Sequence, residues 1–130
     1  MEGKKVIMYA ALALLLFVIV LVVIAPTNNA PECSLGVDPE WEAIYIDPTY
    51  VASFVWSASD SDGYIASWSF DGDDDGVPEM VGYDDLGGGC TWSYDVDGTY
   101  TARLTVTDDD GSSSSDTVRF SVYSNELTLL

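Results

Sequence analysis

The sequence predicts a hydrophobic N-terminal α-helix followed by an all-β antiparallel sandwich. Three observations carry that prediction. Residues 6–25 read VIMYAALALLLFVIVLVVIA, twenty apolar residues without charge, Gly or Pro. From residue 33 onward the apolar period changes from that of a helix to two. Stretches rich in Asp, Gly, Ser and Pro separate the alternating runs.

The first element is a membrane anchor. As a helix at ~1.5 Å per residue, 6–25 is ~30 Å long, the thickness of one hydrocarbon core. Lys4 and Lys5 precede it and favour the cytoplasmic side. The chain is therefore expected to cross once, N-terminus inside, and present the rest outside. The competing reading is a cleaved signal peptide, whose apolar region is usually ~7–15 residues. The small-residue exits at Ala25 and Ala30 are each followed by proline, Pro26 and Pro31, which disfavours cleavage there. We divide the chain into an anchor over 1–25, a linker over 26–32, a sandwich over 33–124 and a tail over 125–130.

The strands follow in order. Cys33, Leu35 and Val37 alternate with Ser34 and Gly36. A strand over 41–46 ends at the turn Asp47-Pro48. Ala52, Phe54 and Trp56 form one face of the next run, and Tyr64, Ala66, Trp68 and Phe70 another. Residues 79–83 suit a short edge strand. Cys90, Trp92 and Tyr94 alternate with Thr91 and Ser93. Tyr100, Ala102, Leu104 and Val106 alternate with Thr101, Arg103, Thr105 and Thr107, the clearest strand in the chain. Val118, Phe120 and Val122 complete the set. Six or more strands in ~95 residues, each with one wet and one buried face, argue a two-sheet sandwich. The tail Glu126-Leu-Thr-Leu-Leu130 extends the last strand or adds a strand to a neighbour.

Charge narrows the partners. The net charge is −18. Setting aside Glu2, Lys4 and Lys5, the remainder carries 21 acids against 2 bases. Nucleic acid and anionic lipid surfaces repel such a domain. Cations, basic partners or a salty medium suit it. With no histidine, Ser-His and Cys-His catalysis and His-containing zinc sites are excluded. Outside the cell the two cysteines, Cys33 and Cys90, read as a disulfide. It would close a loop of 57 positions and contribute roughly 4 kcal/mol if unstrained.

Two motifs carry a resemblance. Asp60-Ser-Asp-Gly63-Tyr-Ile-Ala-Ser-Trp68-Ser-Phe70-Asp-Gly-Asp73 resembles the acidic turn, Trp-x-Phe strand and Gly-Asp-Gly turn of PKD (polycystic kidney disease) domains. Asp97-Gly-Thr-Tyr-Thr-Ala-Arg-Leu-Thr-Val-Thr-Asp108-Asp-Asp-Gly111 resembles the second signature of that family, and Tyr94 matches the aromatic before it. The resemblance implies an immunoglobulin-like sandwich of the kind found on cell surfaces and beside secreted enzymes. It implies a spacer, adhesion or assembly module without catalytic machinery. The run Asp71-Gly-Asp-Asp-Asp-Gly76, the cysteine pair and the first strand depart from the pattern.

The carboxylates suggest a cation before they suggest catalysis. Asp71, Asp73 and Asp75 followed by Gly76 give the D-x-D-x-D-G start of a calcium loop, with Glu79 close behind. Gly82 stands where a complete EF-hand loop has its bidentate Glu. The expected site is a reduced one using Asp71, Asp73, Asp75, Glu79 and the Val77 carbonyl, set against a solvated acidic turn. A weaker set is Asp60 and Asp62 with Asp108, Asp109 and Asp110, placed together if loops 59–63 and 108–112 share one end of the sandwich. Calcium is the only cofactor implied, and for this second set solvation is favoured. The linker enters at that same end, so the 71–76 loop and the C-terminus are expected to point away from the membrane. A glycosidase pair is disfavoured because the acids lie in turns. Trp56, Trp68 and Trp92 fall on apolar faces, leaving Trp41 as the exposed one.

The function these residues imply is non-enzymatic. The leading reading is an extracellular, membrane-anchored module making protein–protein contacts, with other subunits or with copies of itself. One alternative is a pilin-like filament subunit with the apolar helix in the fibre core. The other is a single-span accessory subunit of a larger membrane complex.

Overall fold

A computed structural model describes residues 27–38, 45–46, 49–83, 87–124 and 126–130. The predicted anchor over 6–25 and Trp41 lie outside the described residues. Among the described residues no helix is long and apolar enough to cross a membrane.

Among the described residues nine strands build two antiparallel sheets. They are β1 (Glu32–Val37), β2 (Tyr45–Ile46), β3 (Thr49–Ser59), β4 (Ile65–Asp71), β5 (Met80–Tyr83), β6 (Gly87–Tyr94), β7 (Gly98–Asp108), β8 (Ser113–Tyr123) and β9 (Glu126–Leu129). In the first sheet β3 is central. β6 lies along one side of it, and β1 and β2 share the other. The second sheet runs β5-β4-β7-β8-β9.

The period of two places the core between the sheets. Tyr50, Ala52, Phe54 and Trp56 of β3 point inward, as do Ala102, Leu104 and Val106 of β7 and Phe120 and Val122 of β8. Each large apolar side chain removed from water there contributes about 1.5–3 kcal/mol. The rings interlock: Phe54 meets Phe70 at 4.9 Å between centroids and Phe120 at 5.8 Å, both tilted. Such tilted pairs match the quadrupoles of the rings.

Three expectations change. The predicted disulfide does not form: Cys33 and Cys90 are free thiols. Cys33 is registered with Ala58 and Cys90 with Phe54 on opposite sides of β3. Four residues along the strand and two strand spacings across put their α-carbons roughly 16 Å apart, far beyond the ~7 Å limit for bridging. Second, β4 slips register between Ile65 and Ser67. The bulge turns Ile65 into the core and leaves Tyr64 exposed, where simple alternation had placed Tyr64 inside. Third, the tail does not extend β8. It turns at Ser124 (φ 50°) and runs back along β8 as β9, Leu127 against Val122.

Candidate metal site

The loop after β4 is organised around one carboxylate. Asp71 closes the strand and is buried. Its Oδ1 accepts the Asp73 and Asp75 backbone N–H groups, both at 3.3 Å, and its Oδ2 accepts that of Gly76 at 2.8 Å. The loop turns through two left-handed residues, Asp74 (φ 54°) and Gly76 (φ 89°). Glycine takes that conformation freely, and Asp is one of the few other residues that tolerate it.

Tertiary contacts fix this loop to the sandwich. Tyr94 Oη donates to the Gly72 carbonyl at 2.7 Å. Burial pushes the Tyr94 phenol well above its usual range, and Cys90 and nearby acids add to the rise. The Trp92 ring lies so close that a β-carbon at Gly72 would sit 2.5 Å from its Cδ1. Glu79 Oε2 accepts the Gly72 N–H at 2.5 Å. Arg103 of β7 donates through Nε to Asp74 Oδ1 at 2.6 Å and through Nη2 to Oδ2 at 3.2 Å. That hydrogen bond holds the Asp74 carboxyl below its ordinary value.

The outcome is a convergent set. One oxygen each from Asp71, Asp73, Asp75 and Glu79 lies within 4.8 Å of all the others. Oxygens on opposite sides of a calcium ion lie about twice 2.3–2.6 Å apart, so the donors fit a hard divalent cation. Partial desolvation raises the Asp73 carboxyl, with the Asp75 charge next in weight. Asp74 is directed away by Arg103. Asp71, Asp73 and Asp75 are the carboxylates of the D-x-D-x-D-G run, and Glu79 is the acid the sequence places close behind it.

The second set stands differently. Tyr64 N donates to Asp109 Oδ1 at 3.0 Å and Asp109 N to the Tyr64 carbonyl at 3.1 Å, so loops 59–63 and 108–112 do share one end. Asp60 and Asp109 crowd over Gly63, where a β-carbon would fall 2.7 Å and 2.1 Å from their oxygens. Desolvation first, and a hydrogen bond with Asp62 second, raise the Asp60 carboxyl. Asp108, 2% exposed, serves the protein's own donors instead. It accepts from Asn28 Nδ2 at 2.9 Å, Ser112 N at 2.8 Å and Asp110 N at 3.0 Å. The Asn28 amide is the main reason its carboxyl is held low. Among the described residues only the Asp71 set closes to ligand spacing.

Sequence reasoning missed two devices. Asn28 also bonds Ser112 Oγ at 2.8 Å, and Asn29 N bonds Asp62 Oδ2 at 2.9 Å. The segment expected to be a free linker is thus laid onto the acidic loops. Leu35 N of β1 donates to Asp116 Oδ2 of β8 at 2.8 Å, tying the two sheets along that side.

This fold and these loops define an immunoglobulin-like β-sandwich module with one acidic loop cluster at 59–63 and 108–112 and another at 71–79. The family model for the PKD domain matches residues 28–122, and the chain belongs to that family. PKD domains are non-enzymatic extracellular modules. Among solved structures, the PKD1 domain of Vibrio anguillarum Epp is 25% identical, with a TM-score of 0.52 over 74% of this chain and 96% of that one. The PKD1 domain from the Vibrio cholerae metalloprotease PrtV is 28% identical, with a TM-score of 0.48 over 72% of this chain and 98% of that one. No curated protein matches the chain.

Proposed function

We propose that the chain is a membrane-anchored surface module whose PKD domain makes protein–protein contacts outside the cell, foremost with copies of itself. The observation that supports this reading is the fastening of residues 28–29 to Asp62, Asp108 and Ser112. Chain arriving from the apolar segment 6–25 meets a domain already gripped at that end. The domain then stands as an oriented post rather than a tethered bead, with the 71–79 loop at its far end. Calcium held by Asp71, Asp73, Asp75 and Glu79 would offset part of the negative charge at that tip.

The test uses the full chain in mild detergent, imaged and sized with and without millimolar calcium. Self-association supports the reading. Fibres would select the filament subunit, and stable co-purification with other chains would select the accessory subunit. Solitary monomers at every concentration would remove self-assembly from the proposal.

A further inference from the structure

The period of two gives the second sheet an outer face as regular as its core face. β4 and β7 turn Trp68, Phe70, Leu104 and Val106 toward the core, which leaves Ser67, Ser69, Thr105 and Thr107 facing out. Strand registration sets these side chains in two rows. Tyr83, Ser67, Thr107 and Ser113 form one, and Val81, Ser69, Thr105 and Ser115 form the other. Thr105 Oγ1 and Ser115 Oγ lie 2.9 Å apart, Thr107 Oγ1 and Ser113 Oγ 2.7 Å apart. A hydroxyl has one donor and two acceptor positions, so these pairs keep capacity for a further partner.

Val81 and Tyr83 stand as a wall beside this hydroxyl floor, 63% and 75% exposed. Between wall and floor lies a groove of about 180 Å³, lined by Ser67, Ser69, Val81, Tyr83, Thr105 and Thr107. Among the described residues none that lines it is charged, in a chain of net charge −18. The one cation of β7, Arg103, is held by Asp74 at 2.6 Å.

We propose that this groove binds an uncharged glycan, one sugar ring laid against Tyr83 and its hydroxyls on Ser67, Ser69, Thr105 and Thr107. This binding is separate from protein–protein contact and does not depend on it. Chemistry selects the occupant. An anion finds no free cation in the groove and is repelled by the chain as a whole. Asp84 and Asp85, which follow Tyr83 in the sequence, add to that repulsion. A cation finds no carboxylate in the lining. A protein partner needs roughly 800 Å² a side around an apolar centre, and this face offers two apolar side chains. A neutral sugar meets both halves of the groove. Its C–H face is weakly positive and suits the negative face of an aromatic ring. Its hydroxyls donate and accept as those of Ser and Thr do. Neighbouring strands lie about 4.7–4.9 Å apart, close to the separation of alternate hydroxyls around a pyranose ring.

The test is an amide NMR titration of the full chain in a sugar-free detergent. The ligands are maltohexaose, cellohexaose and laminarihexaose, with hexagalacturonate as the charged counterpart. The expected result is that a neutral hexasaccharide shifts the amides of 67–69, 81–83 and 105–107, saturating with a Kd on the order of 1 mM. Hexagalacturonate should leave them in place. Tyr83→Ala should raise the Kd at least about tenfold. Thr105→Val keeps a β-branched side chain in the strand and removes one hydroxyl. It should raise the Kd about three- to tenfold, and it serves as the second variant should the first misfold. Tyr123→Ala removes an exposed aromatic from β8 of the same sheet and should leave the Kd unchanged. No localised shift from any neutral hexasaccharide overturns the site, as does binding that persists undiminished in both groove variants. An equal response to hexagalacturonate overturns the choice of an uncharged ligand. Groove amides that move with protein concentration alone, without sugar, would give this face to a second copy of the chain instead.

Discussion

Cys90 sits half-buried on β6, its thiol pushed up to about 12 by burial first and by the Glu79 carboxylate second. Burial, with Asp116 behind it, also raises Cys33. The thiolate is the reactive form, so both cysteines should alkylate slowly in the folded protein near pH 8. Both should alkylate fully in denaturant without reductant, and mass spectrometry would then count two additions per chain. Two additions only after reduction would show a disulfide and refute the free-thiol register. The sequence could not settle this point. Spacing along the chain measures the loop a bridge would close, while bridging depends on strand register across β3. The same limit hid the Asn28 amide, whose partner Asp108 lies 80 residues away.

The 71–79 loop was legible at the level of an element because its donors are local. Alternate carboxylates ahead of a glycine specify a turn that gathers oxygens, and the fold delivers all four to one place. Calcium should therefore raise the unfolding temperature, stabilising by about 2.7 kcal/mol at a hundredfold excess over its Kd. Asp75→Asn should weaken the shift, since it removes one anionic donor while keeping an oxygen for the Val77 N–H. No shift with millimolar calcium would exclude the site. What local pattern could not show is how the loop is held. Arg103 reaches Asp74 from β7, and Tyr94 reaches Gly72 from the opposite sheet. The strands were legible for the same reason as the loop: β3, β7 and β8 present the inward faces their alternation predicts. β4 was misread at its start because a bulge inserts a residue without altering composition. The β9 hairpin was missed because the turn residue Ser124 takes a positive φ that serine seldom adopts.

At the scale of the molecule, four acids with shifted carboxyls shape the pH dependence of stability. Asp74 and Asp108 are held low, by Arg103 and by the Asn28 amide respectively. Their stabilising contributions are complete above the ordinary carboxylate value near pH 4 and are lost as pH falls through their lowered values. Asp60 and Asp73 are raised, desolvation being the largest cause for both. The folded state binds their protons more readily, so stability increases as pH falls through their raised values. The two pairs act in different windows. From pH 7 downward, relief of Asp60 and Asp73 should come first, aided by the shrinking net charge of a chain that begins at −18. Below about pH 4 the loss at Asp74 and Asp108 should take over. The unfolding temperature at low salt and without calcium should thus pass through a maximum on the mildly acidic side. Added salt should raise it at pH 7 and flatten the acidic rise, because exposed carboxylates are screened. A midpoint that falls steadily from pH 7 would show that the desolvation of Asp60 and Asp73 carries no strain and that the hydrogen-bonded carboxylates alone govern the acid response.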